Sequence, residues 1–204
     1  MDTNKSLLDA VRDNPESEAW FRMVSIYDPL IAGWLRRIGI SESEVPDITQ
    51  EVLCAVVEQI PKFQHNGQTG AFRNWLKRIT YFRCQRFWEK RTSKVKDNVL
   101  TSLAELEDPK SELSRQWDLE HDQYVLERIL QLIEPDFSNT AMQSFRRTSI
   151  NGEKPVDVAA DLNISTAQVY KYRFRIMKRL TQEAKGLVDE GIGSFDLPTD
   201  AQIK

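Results

Sequence analysis

From Trp20 onward the apolar residues of this chain recur at three- and four-residue intervals, and no convincing alternating segment interrupts them. That period puts them on one stripe of a helix, whereas a period of two would line one face of a strand. Ser17 to Ile38 carries Trp20, Phe21, Val24, Tyr27, Leu30, Ile31, Trp34, Leu35 and Ile38 at helical spacing. Pro29 predicts a kink there, or a division into two helices. Asp47 to Ile60 reads as the next helix, announced by Pro46 and an acidic first turn that suits the dipole, and ended by Pro61. The period returns at Tyr124, Leu126, Ile129, Leu130 and Ile133, stops at Pro135, and restarts after Ser138, a residue suited to capping a helix through Met142 and Phe145. Only eight glycines and eight prolines punctuate 204 residues. The expected fold class is all-α, as two small helical domains joined by an acidic linker.

Residues 71–91 read AFRNWLKRITYFRCQRFWEKR, which interleaves seven Arg or Lys with six large aromatics. Cations neutralise phosphates and exposed rings stack on unpaired bases, so this mixture suits single-stranded nucleic acid. Phe72, Leu76 and Ile79 are assigned to the core. Trp75, Tyr81, Phe82, Phe87 and Trp88 are the candidates for exposure. The formal net charge is only −3, but it is segregated. Residues 71–96 hold nine bases against Glu89, and residues 97–122 hold eight acids against Lys110 and Arg115. Free in solution, the acidic span is expected to fold back on the basic helix through Glu105, Glu107, Asp108 and Glu112 and mask it.

PVDVAADLNISTAQVYKYRFRIMKRL, beginning at Pro155, has the pattern of a helix-turn-helix. Pro155 suits a first helical position, and Val158, Ala159 and Leu162 face inward. Asn163 suits the turn because Asn tolerates left-handed backbone, and Ile164 plugs the corner. Ser165 and Gln168 form a capping box. Val169, Tyr172, Ile176 and Leu180 mark the inner face of the second helix. Thr166, Ala167, Tyr170, Lys171, Phe174 and Lys178 then point toward a major groove, flanked by Arg173, Arg175 and Arg179. The plainer alternative is a helical hairpin with a solvated basic face.

Other chemistry finds little support. Cys54 and Cys84 are too few and too far apart for a metal site or a disulfide framework. His65 and His121 are the only histidines, and no phosphate loop, nucleophile elbow or metal-ligand cluster accompanies them. The expectation is a protein that is not an enzyme, with no cofactor and no metal. No signal peptide or membrane-length apolar run is read, so the expected location is the cytoplasm, with no membrane insertion.

With these residues in hand, the chain resembles a known family. DITQEV at Asp47 to Val52 resembles region 2.2 of bacterial sigma factors. FRNWLKRI at Phe72 to Ile79, with the following FWEKR, resembles regions 2.3 and 2.4, and the helix-turn-helix resembles region 4.2. With no intervening third domain, the layout is similar to that of the extracytoplasmic-function, or group IV, sigma factors of the sigma-70 family. The resemblance implies a region 2 over 1–95, a flexible acidic linker over 96–120, a region 4 over 121–190 and a disordered tail over 191–204.

It also implies roles. Asp47, Gln50 and Glu51 would dock on the clamp helices of the largest subunit of core RNA polymerase; a merely solvated face is the alternative. Lys62, Phe63, Arg73, Trp75, Lys77, Arg78, Tyr81, Phe82, Arg86, Trp88 and Arg91 would engage the promoter −10 element as it opens to single strands. Ser165, Thr166, Ala167, Gln168, Tyr170, Lys171, Arg173, Phe174, Arg175 and Lys178 would read the −35 element as duplex. The second domain would also touch the polymerase flap, and an anti-sigma factor is a further candidate partner. Two positions depart from the family. Many members carry Asn where this chain has Phe82 and Asp where it has Arg86, which puts the −10 preference in doubt and makes Phe82 a stacking or core substitute. The competing reading is a stand-alone helix-turn-helix regulator of duplex DNA, which leaves DITQEV and the aromatic-basic helix without a role.

Overall fold

The computed structural model describes residues 6–14, 17–65, 70–89, 101–102, 104–106, 108 and 110–188, with the backbone alone at 88 and 89. Among these residues the chain is helical and no β-ladder forms. In order the helices are α1 (Leu7–Asp13), α2 (Glu18–Arg37), α3 (Val45–Gln59), α4 (Ala71–Glu89), α5 (Glu112–Ile133), α6 (Asn139–Phe145), α7 (Pro155–Asp161) and α8 (Thr166–Ala184). Short 3-10 turns extend α3 over Ile60–Lys62 and α5 over Glu134–Asp136, and a π turn over Arg146–Ile150 follows α6.

Local chemistry explains the boundaries. Ser6, Ser111, Ser138 and Ser165 each accept a hydrogen bond from the backbone N–H three residues on, satisfying a donor the helix itself leaves free. Pro46 and Asp47 open α3. α2 is not divided at Pro29 but runs through it. A helix-interior proline removes the N–H that would bond the carbonyl four residues earlier, here that of Ser25. Arg128 of α5 supplies the replacement, its Nη2 donating to Ser25 O at 3.2 Å. The helical defect is thus repaired by a tertiary contact.

α3 packs on both α2 and α4, α5 lies along α2, α8 packs on α5, and α6 packs on α8. One continuous cluster of buried apolar side chains runs from Leu7 to Val188 and includes both ends of α5. Tyr27, Trp34, Phe72 and Trp117 are among its largest members, with Trp34 and Trp117 ring centroids 4.6 Å apart. The C-terminal end of α8 returns to α1. Gly186 has φ +82°, and a Cβ there would lie 2.9 Å from Leu8 Cδ2. Leu187 and Val188 are buried beside it.

The span 96–120 departs from a flexible linker where it is described. Leu106 is buried, and residues 112–120 form the first turns of α5. Ser114, Trp117 and His121 fall at three- and four-residue intervals and are all completely buried, so an interior face exists beneath the charged residues between them. The predicted tail 191–204 and the whole run 90–100 lie outside the described residues.

Candidate nucleic-acid interface

The corner between α3 and α4 is built by two breaks in the helical pattern. Pro61 tightens the end of α3 into a 3-10 turn, and Phe63 leaves it in extended backbone. Gly70 opens α4 with φ +73°, a conformation that costs a side chain dearly, and its carbonyl receives the Asn74 N–H at 2.8 Å. A Cβ at this glycine would stand 2.7 Å from the Arg73 guanidinium, so the position is closed on both grounds.

Phe72, Leu76 and Ile79 are buried, which anchors α4 and turns its other residues to known sides. Its outer side faces a cavity of about 580 Å³ whose walls include Phe63, Trp75, Asn74, Arg78 and Phe82, with Lys62, Gln59 and Gln64 across from them. The rings form a connected aromatic wall: Phe63 and Trp75 have centroids 5.0 Å apart, and Trp75 and Phe72 5.3 Å. Phe63 is only 7% exposed and serves as backing, whereas Phe82 is 47% exposed at the rim. Phe82 is therefore not a core substitute. Lys62, Arg78 and Arg86 are exposed, while Tyr81 is half-buried against Phe82. Flat rings, three side-chain amides and flanking cations suit a planar base carrying a phosphate. The amides of Gln59, Gln64 and Asn74 are not singled out as site residues by the sequence, because isolated polar residues beside a turn have no periodic signature. The side chain of Trp88, and all of Arg91, lie outside the described residues.

The inner side of α4 holds two cations that the sequence reading assigned to nucleic acid. Arg73 and Lys77 are 8% and 7% exposed. Arg73 meets Asp118 at 3.0 Å and Asp122 at 2.6 Å; Lys77 meets Asp118 at 3.0 Å and donates to Ser114 Oγ at 2.7 Å. All three partners lie on α5. Buried cations demand such partners, because an uncompensated charge in the interior is costly. Next to them His121 is completely buried, its Nδ1 2.8 Å from Asp122 and its Nε2 3.4 Å from the Tyr27 hydroxyl. Burial lowers the pKa of His121, outweighing the upward pull of Asp122. For Asp122 burial acts upward, but the bonds to His121 and Arg73 prevail and hold its carboxyl below the ordinary range. Burial, then the charge of Asp122, pushes Tyr27 well up. The acids that meet α4 are Asp118 and Asp122; Glu105, Asp108 and Glu112 are exposed, and Glu107 lies outside the described residues.

α3 presents the predicted polar strip. Asp47, Gln50, Glu51, Cys54 and Glu58 are exposed, and Ile48, Val52, Ala55 and Val56 are buried on the opposite side. Burial, and then the charge of Glu51, pushes the thiol of nearby Cys84 up to about 12, which leaves it protonated and unreactive.

α7 and α8 form the helix-turn-helix geometry. Asn163 takes φ +53°, and the Ile164 N–H bonds the Ala159 carbonyl at 3.0 Å to close the turn. Ser165 Oγ accepts from Gln168 N at 3.1 Å. Val158, Ala159, Val169, Ile176, Met177 and Leu180 are buried. Ala167, Lys171, Arg175 and Lys178 make an exposed line along α8; Thr166, Gln168, Tyr170, Arg173 and Phe174 are half-buried beside it, and Ser165 is exposed at its start. Arg179 leaves this surface and turns inward to Glu183 at 2.7 Å and Asp136 at 3.3 Å. Its carboxylate partner Glu183 is buried and also meets Arg22 of α2 at 3.3 Å, which explains the inward turn.

No group of three or more His, Cys, Asp and Glu side chains suited to a metal occurs among the described residues, and no described helix is long and apolar enough to cross a membrane. Residues 23–94 match the Sigma-70 region 2 family. The matched span takes in most of α2, all of α3 and α4 and the cavity between them, and it supports membership of the sigma-70 family. It covers roughly a third of the chain. No curated protein matches the chain.

Proposed function

We propose that this chain is an RNA polymerase sigma factor of the extracytoplasmic-function type, which directs core polymerase to paired promoter elements and helps open the −10 element. The observation that carries the reading is the cavity at the α3–α4 corner. It joins aromatic faces, side-chain amides and cations, and it lies within the span that matches sigma-70 region 2. Stacking of an unpaired base on such rings contributes about 1–3 kcal/mol, comparable to the cost of unstacking one duplex step. Trp75 and Phe82 would receive the base, the amides of Asn74 and Gln64 would meet its edge, and Lys62, Arg78 and Arg86 would hold the flanking phosphates.

The exposed line on α8 supports duplex reading at the −35 element, with Ala167 close to base edges and Lys171, Arg175 and Lys178 on phosphates or guanine. The acid-rich strip Asp47, Gln50 and Glu51 would dock on the clamp helices of core polymerase, with the flap as a second contact of the α6–α8 unit. Run-off transcription with purified core polymerase on a pooled promoter library tests the proposal. Start sites sharing two spaced upstream elements are expected only when the protein is added. Binding to duplex DNA without core, together with no stimulated start, would instead identify a stand-alone regulator.

A further inference from the structure

We propose that the N-terminal half of α5 is an intramolecular competitor of nucleic acid, holding Arg73 and Lys77 of α4 through Asp118, Asp122 and Ser114 until α5 lifts away and releases both cations to phosphates. This rests on the reading of α4 as a promoter-binding helix. α4 divides its chemistry between two sides. Trp75, Arg78 and Phe82 face the open cavity, while Arg73 and Lys77 face α5 and are almost fully covered. Two of the five described cations of this helix are therefore unavailable to DNA in the closed chain, although its stacking surface is open.

The seat has the properties of a releasable contact. α5 is one uninterrupted helix whose first half packs on α2 and α4 and whose second half carries Ile129, Leu130 and Ile133 into the core shared with α6 and α8. A movement of the α6–α8 unit away from α2–α4 must break this helix or lift its first half. Two fastenings are polar and solvent-exposed: the Arg37–Glu120 ion pair at 2.7 Å and the Arg128 hydrogen bond to Ser25 O at 3.2 Å. Exposed ion pairs of this kind are weak and salt-sensitive. At the centre, Trp117 Nε1 is buried with no hydrogen-bond partner among the described residues, a desolvation cost that opening relieves.

The test uses the full chain and a fluorescent 20-nucleotide single strand of mixed sequence, titrated over a range of salt. D118N/D122N is compared with E112Q/E127Q, which removes the same charge from the exposed side of α5. The proposal expects D118N/D122N alone to bind severalfold tighter, with a log-affinity against log-salt slope steeper by about 1.4, as two further single-strand phosphate contacts require. Equal affinity and slope in the two variants, with both folded by circular dichroism, would overturn it. R78Q/F82A separates this failure from failure of the parent reading: undiminished binding there would show that α4 is not the contact. Hydrogen exchange on the wild-type chain guards against a variant that does not fold. Residues 112–122 should lose protection when saturating single strand is added, and unchanged protection in the bound state would equally overturn the proposal.

Discussion

α4 and α8 are both 19-residue helices rich in cations and aromatics, yet the fold treats them in opposite ways. α8 keeps Lys171, Arg175 and Lys178 on the surface in one line, with its aromatics Tyr170, Tyr172 and Phe174 only half-buried among them. α4 turns two of its cations inward onto carboxylates of α5 and sets its rings around a cavity. A straight exposed line fits the uniform surface of a duplex. A cavity walled by rings fits a base that has left the stack. Composition is shared by the two helices; what separates their chemistry is which residues the neighbouring helices cover.

The strongest way to break this contrast is to remove the packing that creates it. Trp117→Ala should cost about 3–5 kcal/mol of stability by emptying the α2–α5 seam, read as a large fall in the urea midpoint, whereas Leu119→Ser on the exposed side should change little. At the cavity, R78Q/F82A should weaken single-strand binding by about 1–3 kcal/mol while duplex affinity stays near wild type. Fluorescence titration against both forms reads the two together, and equal losses would erase the distinction between the helices. Asn163→Ala should cost roughly 1–2 kcal/mol because its φ of +53° strains any side chain with a Cβ, and Asn163→Gly should not. Equal melting temperatures for the two variants would remove the turn from the account.

Two smaller effects sharpen it. K171A/R175A should flatten the duplex salt slope by about 0.9 for each phosphate the helix no longer neutralises and leave the single-strand slope alone. Acidification acts on the α2–α4–α5 junction. His121 is lowered below its ordinary 6.5, so the unfolded chain takes up its proton first. Stability is then full above that value and declines as pH falls below it. Tyr27, Arg73, Asp118 and Asp122 act on the imidazole, with Lys77 paired to Asp118, and Asp122, itself lowered from 3.8, adds a further loss only in stronger acid. His121→Gln should remove the loss between neutral pH and pH 5, which urea titrations at the two values measure.

Much of the fold was legible because local chemistry decided it. The stripe Phe72, Leu76 and Ile79 marks the core side of α4 by spacing alone, Ser138 and Ser165 cap their helices, and Asn163 takes the left-handed turn. α1 was missed because seven residues make too short a period to register, although Ser6 caps it and Leu7, Leu8 and Val11 are buried. The inward turn of Arg73 and Lys77 was hidden for a different reason. A cation reads as surface until its carboxylate is found, and Asp118 and Asp122 stand more than 40 residues away in sequence. A face was nevertheless written there: Ser111 as a cap, then Ser114, Trp117, His121 and Val125 at helical intervals. Charged residues between them made the span look like a linker.

The central claim is that α4 holds an unpaired base while α8 holds duplex. Permanganate reactivity of promoter thymines, measured with core polymerase bound, tests it most directly. The account predicts open −10 thymines with the wild-type chain, and with R78Q/F82A a complex still bound at the −35 element whose thymines stay protected. Thymines that open equally well with R78Q/F82A would contradict it.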